Sequence, residues 1–248
     1  MSNEWDFYFA NVNDELASLF VDLGIRDSVP DPLRPHLTWC WLYMNQPRPD
    51  GLSSADEAPM LGSIEDDLVG SLKECATFVG RITTAGRREF YFYGDAPARC
   101  EDTITRTMPK QAEYRFDLGS RRDEPWSHYL DLLYPSPEEF QRIQNRRVVE
   151  VLKQHRDQLA KARPVSHWAY FATPGDRKTF LAEVTGRGFT IADGSTDAGE
   201  PSPHPYGVTL EKVDSIDQID DVTIELFRLV QSHDGEYDGW ETAVEKAP

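Results

Sequence analysis

The hydrophobic and polar positions of the chain follow two periods. Short stretches of period two, rich in Trp, Tyr and Phe, predict strands, and longer ones with apolar residues three and four apart predict amphipathic helices. One arrangement recurs: an aromatic strand, a polar capping residue, then a helix. "WDFYFANVNDELASLFVDLG" alternates through residues 5–9, turns at Asn11 or Asn13, and places Leu16, Leu19, Phe20 and Leu23 on one helical stripe before Gly24. "REFYFYGDAPARCEDTI" repeats the arrangement with Asp95 as cap and Pro97 in the first turn. "HWAYFATPGDRKTFLAEVTGRG" repeats it again: Thr173 caps, Pro174 takes the first helical position and Asp176 closes the box.

Continued to residue 245, this reading gives a strand at 167–172, a helix at 174–185 and strands at 188–193 and 205–212. A helix then opens on a Ser215–Gln218 capping box, with Ile216, Ile219, Val222, Leu226, Phe227 and Val230 on one face, and a closing strand lies near 238–244. The order βαββαβ predicts a ferredoxin-like sandwich, with two helices on one face of an antiparallel sheet. The N-terminal part predicts strands at 4–10, 36–45, 76–84, 87–93 and 111–118 and helices at 13–23, 63–75 and 97–107. From residue 36 it is again βαββαβ, with a βα unit in front. A long helix at 136–160, capped by Ser136, ends at "ARPVS". The fold class is therefore α+β in two domains. The first, 1–160, is an antiparallel sheet with helices on one face and carries the connecting helix; the second, 164–248, is the ferredoxin-like sandwich.

Charge adds most to this picture. The chain has 26 Lys and Arg against 43 Asp and Glu, a net −17. Residues 1–135 hold 13 basic and 23 acidic side chains, 136–163 hold 7 and 4, and 164–248 hold 6 and 16. Two acidic bodies flank a mildly basic segment. Such a surface repels phosphate backbones and attracts a basic partner, so direct nucleic-acid binding is not expected. No apolar run reaches the length of a membrane span, and the acidic, aromatic start "MSNEWDFYFA" is unlike a secretory signal. Three widely spaced cysteines (Cys40, Cys75, Cys100) suit a reducing cytoplasm, with Cys40 in "TWCWLYM" read as a buried strand position.

The nearest approach to a metal motif is "HDGEYDGWETAVE", where Asp234, Glu236, Asp238 and Glu245 fall at spacings close to a calcium loop. No exiting helix follows, and the third position is Glu236 where Asp or Asn is wanted. The stretch reads better as a helix stop at Gly235, a bend at Asp238–Gly239 and a strand with Trp240, Thr242 and Val244 on one face. No nucleophile elbow, phosphate loop, dinucleotide fingerprint or zinc-protease pattern occurs. Neither a metal, a cofactor nor a catalytic constellation is expected.

At "GEYDGWET", preceded by an amphipathic helix and the "HWAYF" strand, the chain resembles the regulator of ribonuclease E activity B family over about 165–245. The resemblance rests on Trp168, Tyr170 and Phe171, on "LAEVTGRGF", and on Gly235-Glu-Tyr-Asp-Gly-Trp240. The N-terminal part is similar to an uncharacterised bacterial domain family often fused to it, through "WDFYFA", Phe78–Thr83, "REFYFY" and "WSHYLDLLYPS". The resemblance implies a non-catalytic protein-binding regulator that docks on the scaffold region of ribonuclease E or a degradosome component, without touching RNA. The acidic C-terminal domain would meet a basic segment of that partner through Asp217, Asp220, Asp221, Glu236, Tyr237, Asp238 and Trp240. Two alternatives stand beside it. Trp39, Trp41, Tyr91, Tyr93, Trp126 and His128 could line a small-ligand or enzymatic pocket in the N-terminal domain. The acidic surface could instead mimic phosphate, as in an immunity-type protein.

Overall fold

The computed structural model describes residues 2–108, 114–193 and 202–246, and the chain divides into two units, Met1–Ser136 and Pro137–Pro248.

In the first unit, β1 (Trp5–Val12) and β2 (Glu15–Asp22) form a hairpin, paired from Trp5↔Asp22 to Val12↔Glu15. The sequence pattern predicted a helix over 13–23; the turn chemistry overrides it. Asn13 and Asp14 both take left-handed backbone (φ 52° and 64°), the conformation of a two-residue hairpin turn, which short polar side chains tolerate. With that turn fixed, Ala17, Leu19 and Val21 alternate inward, and the helical stripe is an accident of apolar density.

After β3 (His36–Tyr43) come α1 (Ala58–Leu72), β4 (Ala76–Thr84), β5 (Arg87–Gly94), α2 (Pro97–Thr107) and β6 (Phe116–Arg122). The six antiparallel strands lie in the order β1-β2-β4-β5-β3-β6. The predicted strand at 111–118 lies partly outside the described residues, and the strand itself begins later. Asp95 does not cap α2, whose N-terminal flank is Ala96 with no side-chain cap. Leu61, Ile64, Leu68 and Leu72 of α1 and Cys100 and Ile104 of α2 pack on Cys40, Leu42, Phe78, Phe90 and Phe92, which all point to one sheet face. The other face is not left bare. A π-helical turn, His128–Leu133, lies on that side, where Tyr8 donates to the Leu133 carbonyl (3.0 Å) and Tyr129 to the Asp22 carbonyl (2.6 Å).

The second unit begins with α3 (Pro137–Gln154), followed by β7 (Arg163–Phe171), α4 (Pro174–Thr185), β8 (Thr190–Asp193), β9 (Tyr206–Asp214), α5 (Ile219–Ser232) and β10 (Gly235–Thr242). Its sheet is antiparallel, ordered β10-β7-β9-β8, so the four strands of the βαββαβ run lie fourth-first-third-second. The corresponding strands of the first unit, β6-β3-β5-β4, follow the same order. Thr173 caps α4 as the sequence predicts, accepting from the Asp176 amide at 3.2 Å; Ser215 makes no such bond. Phe180 and Val184 of α4 and Val222, Leu226 and Val230 of α5 bury Ala169, Phe171, Val208, Leu210 and Tyr237.

The helix at 137–154 joins this unit rather than the first, where the sequence pattern had grouped it. Gln141, Asn145, Val149 and Leu152 share one face at spacings of four, four and three. Through that face α3 meets α5, and Leu152 enters a core cluster with Val165, Ile216, Ile219 and Trp240. Arg228 of α5 forks onto the Glu138 carboxylate of α3 (2.7 and 2.6 Å). The unit therefore carries three helices where the sequence pattern gave two.

Candidate functional site

The site is built around β10, the stretch "GEYDGWET". The helix before it stops on Asp234, which takes the left-handed φ of 51°, not on Gly235, which is already in the strand. The expected bend at Asp238–Gly239 is a β-bulge: pairing with β7 shifts between Tyr237↔Ala169 and Gly239↔Trp168. One extra residue in the strand inverts the alternation beyond it. Tyr237 and Trp240, three apart, thereby both point to the helix side, each 8% exposed, and Glu236, Asp238 and Glu241 stay exposed. The strand ends at Thr242, so Val244, which the sequence pattern placed on one face with Trp240 and Thr242, lies beyond it.

Each buried aromatic ends on a polar partner. The Tyr237 hydroxyl sits 2.9 Å from His167 Nδ1. The Trp240 indole N–H donates to Asn145 Oδ1 at 2.9 Å, and Gln141 Nε2 donates to the same oxygen at 2.9 Å. Asn145 Nδ2 in turn donates to Asp220 Oδ1 and Thr223 Oγ1, both at 2.7 Å. The amide orientation follows from its partners, because an indole only donates and a carboxylate only accepts. Asn145 is 1% exposed, so α3, α5 and β10 are joined through one buried amide.

Burial, with a smaller contribution from Lys212, lowers the His167 pKa to about 4. The ring is neutral in the folded protein and charges readily in the unfolded chain near the ordinary histidine value of about 6.5. The stability that a neutral His167 preserves is complete above pH 6.5. It falls as pH drops toward 4 and falls no further from this group below that, because both states are then protonated. The expected loss is about 3 kcal/mol across that window. Urea titrations from pH 7 to pH 4 on the protein and on His167→Gln check it: the variant should show a shallower decline.

The predicted partner-facing residues fall into two groups. Asp217 is exposed in the turn before α5, Asp220 is occupied by Asn145 and by Arg142 at 3.6 Å, and Asp221 lines a groove of about 450 Å³ with Arg142, Arg187 and Arg228. Glu236 and Asp238 lie along β10 beside two further grooves, of about 380 and 290 Å³, between β10 and α3. Neighbouring Glu236 and, more strongly, partial burial raise the Asp238 carboxyl above its ordinary value. Glu236 and Asp238 lie on the strand and Asp234 in the turn before it, and among the described residues no group of three or more His, Cys, Asp or Glu side chains could hold a metal ion. No helix among the described residues is long and apolar enough to cross a membrane. Sequence reasoning missed Gln141 and Asn145; their signal is a pair of amides four apart on the inward stripe of α3.

In the first unit the six predicted pocket residues do converge on one sheet face, where Trp39 pairs with Tyr91. Most of them are packed against one another. Trp126 stacks on Tyr93 at 3.9 Å, His128 lies 4.1 Å from Tyr91, and Tyr91, Tyr93 and Trp126 are buried. Burial, then Arg121, lowers the His128 pKa to about 4. Trp39 and Trp41 keep partial exposure, with Arg87 stacked on Trp41 at 4.6 Å. Cys40 is buried, its thiol pushed up to about 12 by that burial, and the Cys75 and Cys100 sulfurs lie 3.4 Å apart as free thiols.

Fold and site define a two-unit α+β protein whose second unit is tied together by the buried Asn145 amide and carries the acids of β10 outward. The chain belongs to the family of unknown function DUF695, whose model matches residues 3–134, and residues 142–242 match the model of the family Regulator of ribonuclease activity B. No curated protein matches the chain. Among solved structures it is similar to an unknown protein from Galdieria sulphuraria (11% identity, 85% of this chain and 99% of that one, TM-score 0.24). It is also similar to a putative glycine cleavage system transcriptional repressor (10% identity, 84% and 98%, TM-score 0.24).

Proposed function

We propose that this protein is a non-catalytic, cytoplasmic regulator of ribonuclease activity whose second unit, a ferredoxin-like module, docks on a basic segment of a ribonuclease such as ribonuclease E or of a protein bound to it. The observation that carries this reading is the division of labour along β10. Tyr237 and Trp240 are anchored inside, and the carboxylates of Glu236 and Asp238 between and beside them face outward. An acidic rim on a rigid strand suits recognition of a basic, flexible partner through steering and charge complementarity. The fourth-first-third-second strand order supports the ferredoxin-like reading, and the family match over 142–242 supports ribonuclease as the target.

Titration of a ribonuclease into the full chain tests it. The double variant Glu236→Lys, Asp238→Lys should weaken binding about tenfold. Asp27→Lys, at a side chain 98% exposed in the first unit, should leave it unchanged. Equal affinity for the double variant and the parent would overturn the assignment of these acids.

A further inference from the structure

Among the described residues, one edge of β10 has no strand partner. It pairs with β7 from Gly235 to Thr242, and no other strand among the described residues joins it. The main-chain N–H and C=O groups on its outer side form a template for a further strand. The two grooves of about 380 and 290 Å³ run along this same edge. Gln141 and Gln144 of α3 line both, Phe140 and Phe227 give the first an apolar wall, and Val148 does so in the second. At Gly239 the strand is bare: its φ of 118° suits glycine, and a Cβ there would meet nothing within 4 Å.

The charge pattern chooses the occupant. Glu236, Asp238 and Glu241 are exposed along the strand, and the bulge interrupts its regular edge. Both devices discourage pairing with a second copy of this chain, whose own edge would bring the same acids. They favour an extended segment that alternates basic and apolar residues. Strand geometry sends successive side chains to opposite faces. The apolar set would enter the grooves beside α3, and the basic set would meet the exposed acids Glu236, Asp238 and Glu241 along the strand.

We propose that β10 is a β-augmentation site, at which an extended basic segment of the partner adds as a fifth strand alongside Gly235–Thr242. This rests on the protein-binding reading above and adds the mode of binding: main-chain hydrogen bonds supply affinity, and alternate side chains supply selectivity.

Amide hydrogen exchange on the full chain tests it, with a short synthetic peptide of alternating lysine and valine as probe. A copy of the peptide N-methylated at alternate residues cannot pair with a strand edge and serves as control. The parent peptide should slow exchange at the outward amides of β10 by about tenfold or more, and the methylated copy should not. Failure of the parent peptide to bind, binding without protection in β10, or equal effects of both peptides would overturn the proposal. A ribonuclease titration separates the two readings. Ribonuclease binding without β10 protection removes the strand mode and keeps the regulatory role; peptide protection without ribonuclease binding does the reverse.

Discussion

Asn145→Ala is expected to destabilise the second unit by about 3 kcal/mol, because it breaks four hydrogen bonds at once, three of them buried. The Trp240 indole and the Gln141 amide lose their acceptor, and Asp220 and Thr223 lose a donor. Thr223 retains its bond to the Ile219 carbonyl, and Asp220 keeps Arg142 nearby, so the Trp240 indole pays most of the penalty. Urea denaturation of the variant measures the loss. Combining it with Trp240→Phe should cost much less than the two losses added, since both remove the same bond. Additive losses, or a single loss below about 1 kcal/mol, would show that the amide does not join the three elements.

Asp157→Ala is expected to cost about 3–5 kcal/mol, the range for breaking a buried ion pair from one side. The Asp157 and Arg163 side chains are 0% and 3% exposed and meet at 2.8 Å. The other carboxylate oxygen accepts the Glu245 amide at 2.7 Å, and the Gln158 amide donates to the Glu245 carbonyl at 2.8 Å. Asp157 therefore fastens the segment after α3 both to the first residue of β7 and to the chain beyond β10. Alanine strands a buried guanidinium. Replacing both partners, Asp157→Leu with Arg163→Met, should cost clearly less than Asp157→Ala alone, because no charge is then left unpaired. Thermal unfolding of the single and double variants checks the order.

Much of this architecture was legible from residue patterns, and the misses share a cause. The helix at 174–185 was readable to the residue because its signals are local: a Thr173 cap, Pro174 behind it, and Phe180 and Val184 inward. The hairpin at 5–22 was misread because Leu16, Leu19, Phe20 and Leu23 fit a helical stripe as well as a strand. Only the left-handed pair Asn13–Asp14 decides between them, and backbone sign is not written in hydrophobicity. At the candidate site the sequence marked Tyr237 and Trp240 as a signature without saying which way they point. A bulge sets that direction, and a bulge is a property of pairing between strands distant in sequence. Asn145 escaped for the same reason: three of its four partners are 75 to 95 residues away.

These particulars sharpen what the acidic segment at 233–245 does. Its aromatic residues hold the unit together, its acids on β10 are displayed, and its spacing follows strand and bulge. Under the proposed function, the protein regulates a ribonuclease by binding it. The most direct test is the rate of RNA cleavage by intact ribonuclease E, and by its isolated catalytic region, with and without saturating amounts of the full chain. Slower cleavage by the intact enzyme, an unchanged rate for the catalytic region and no cleavage by the chain alone are expected. Undiminished cleavage by the intact enzyme at saturation, or RNA cleavage by the chain itself, would contradict it.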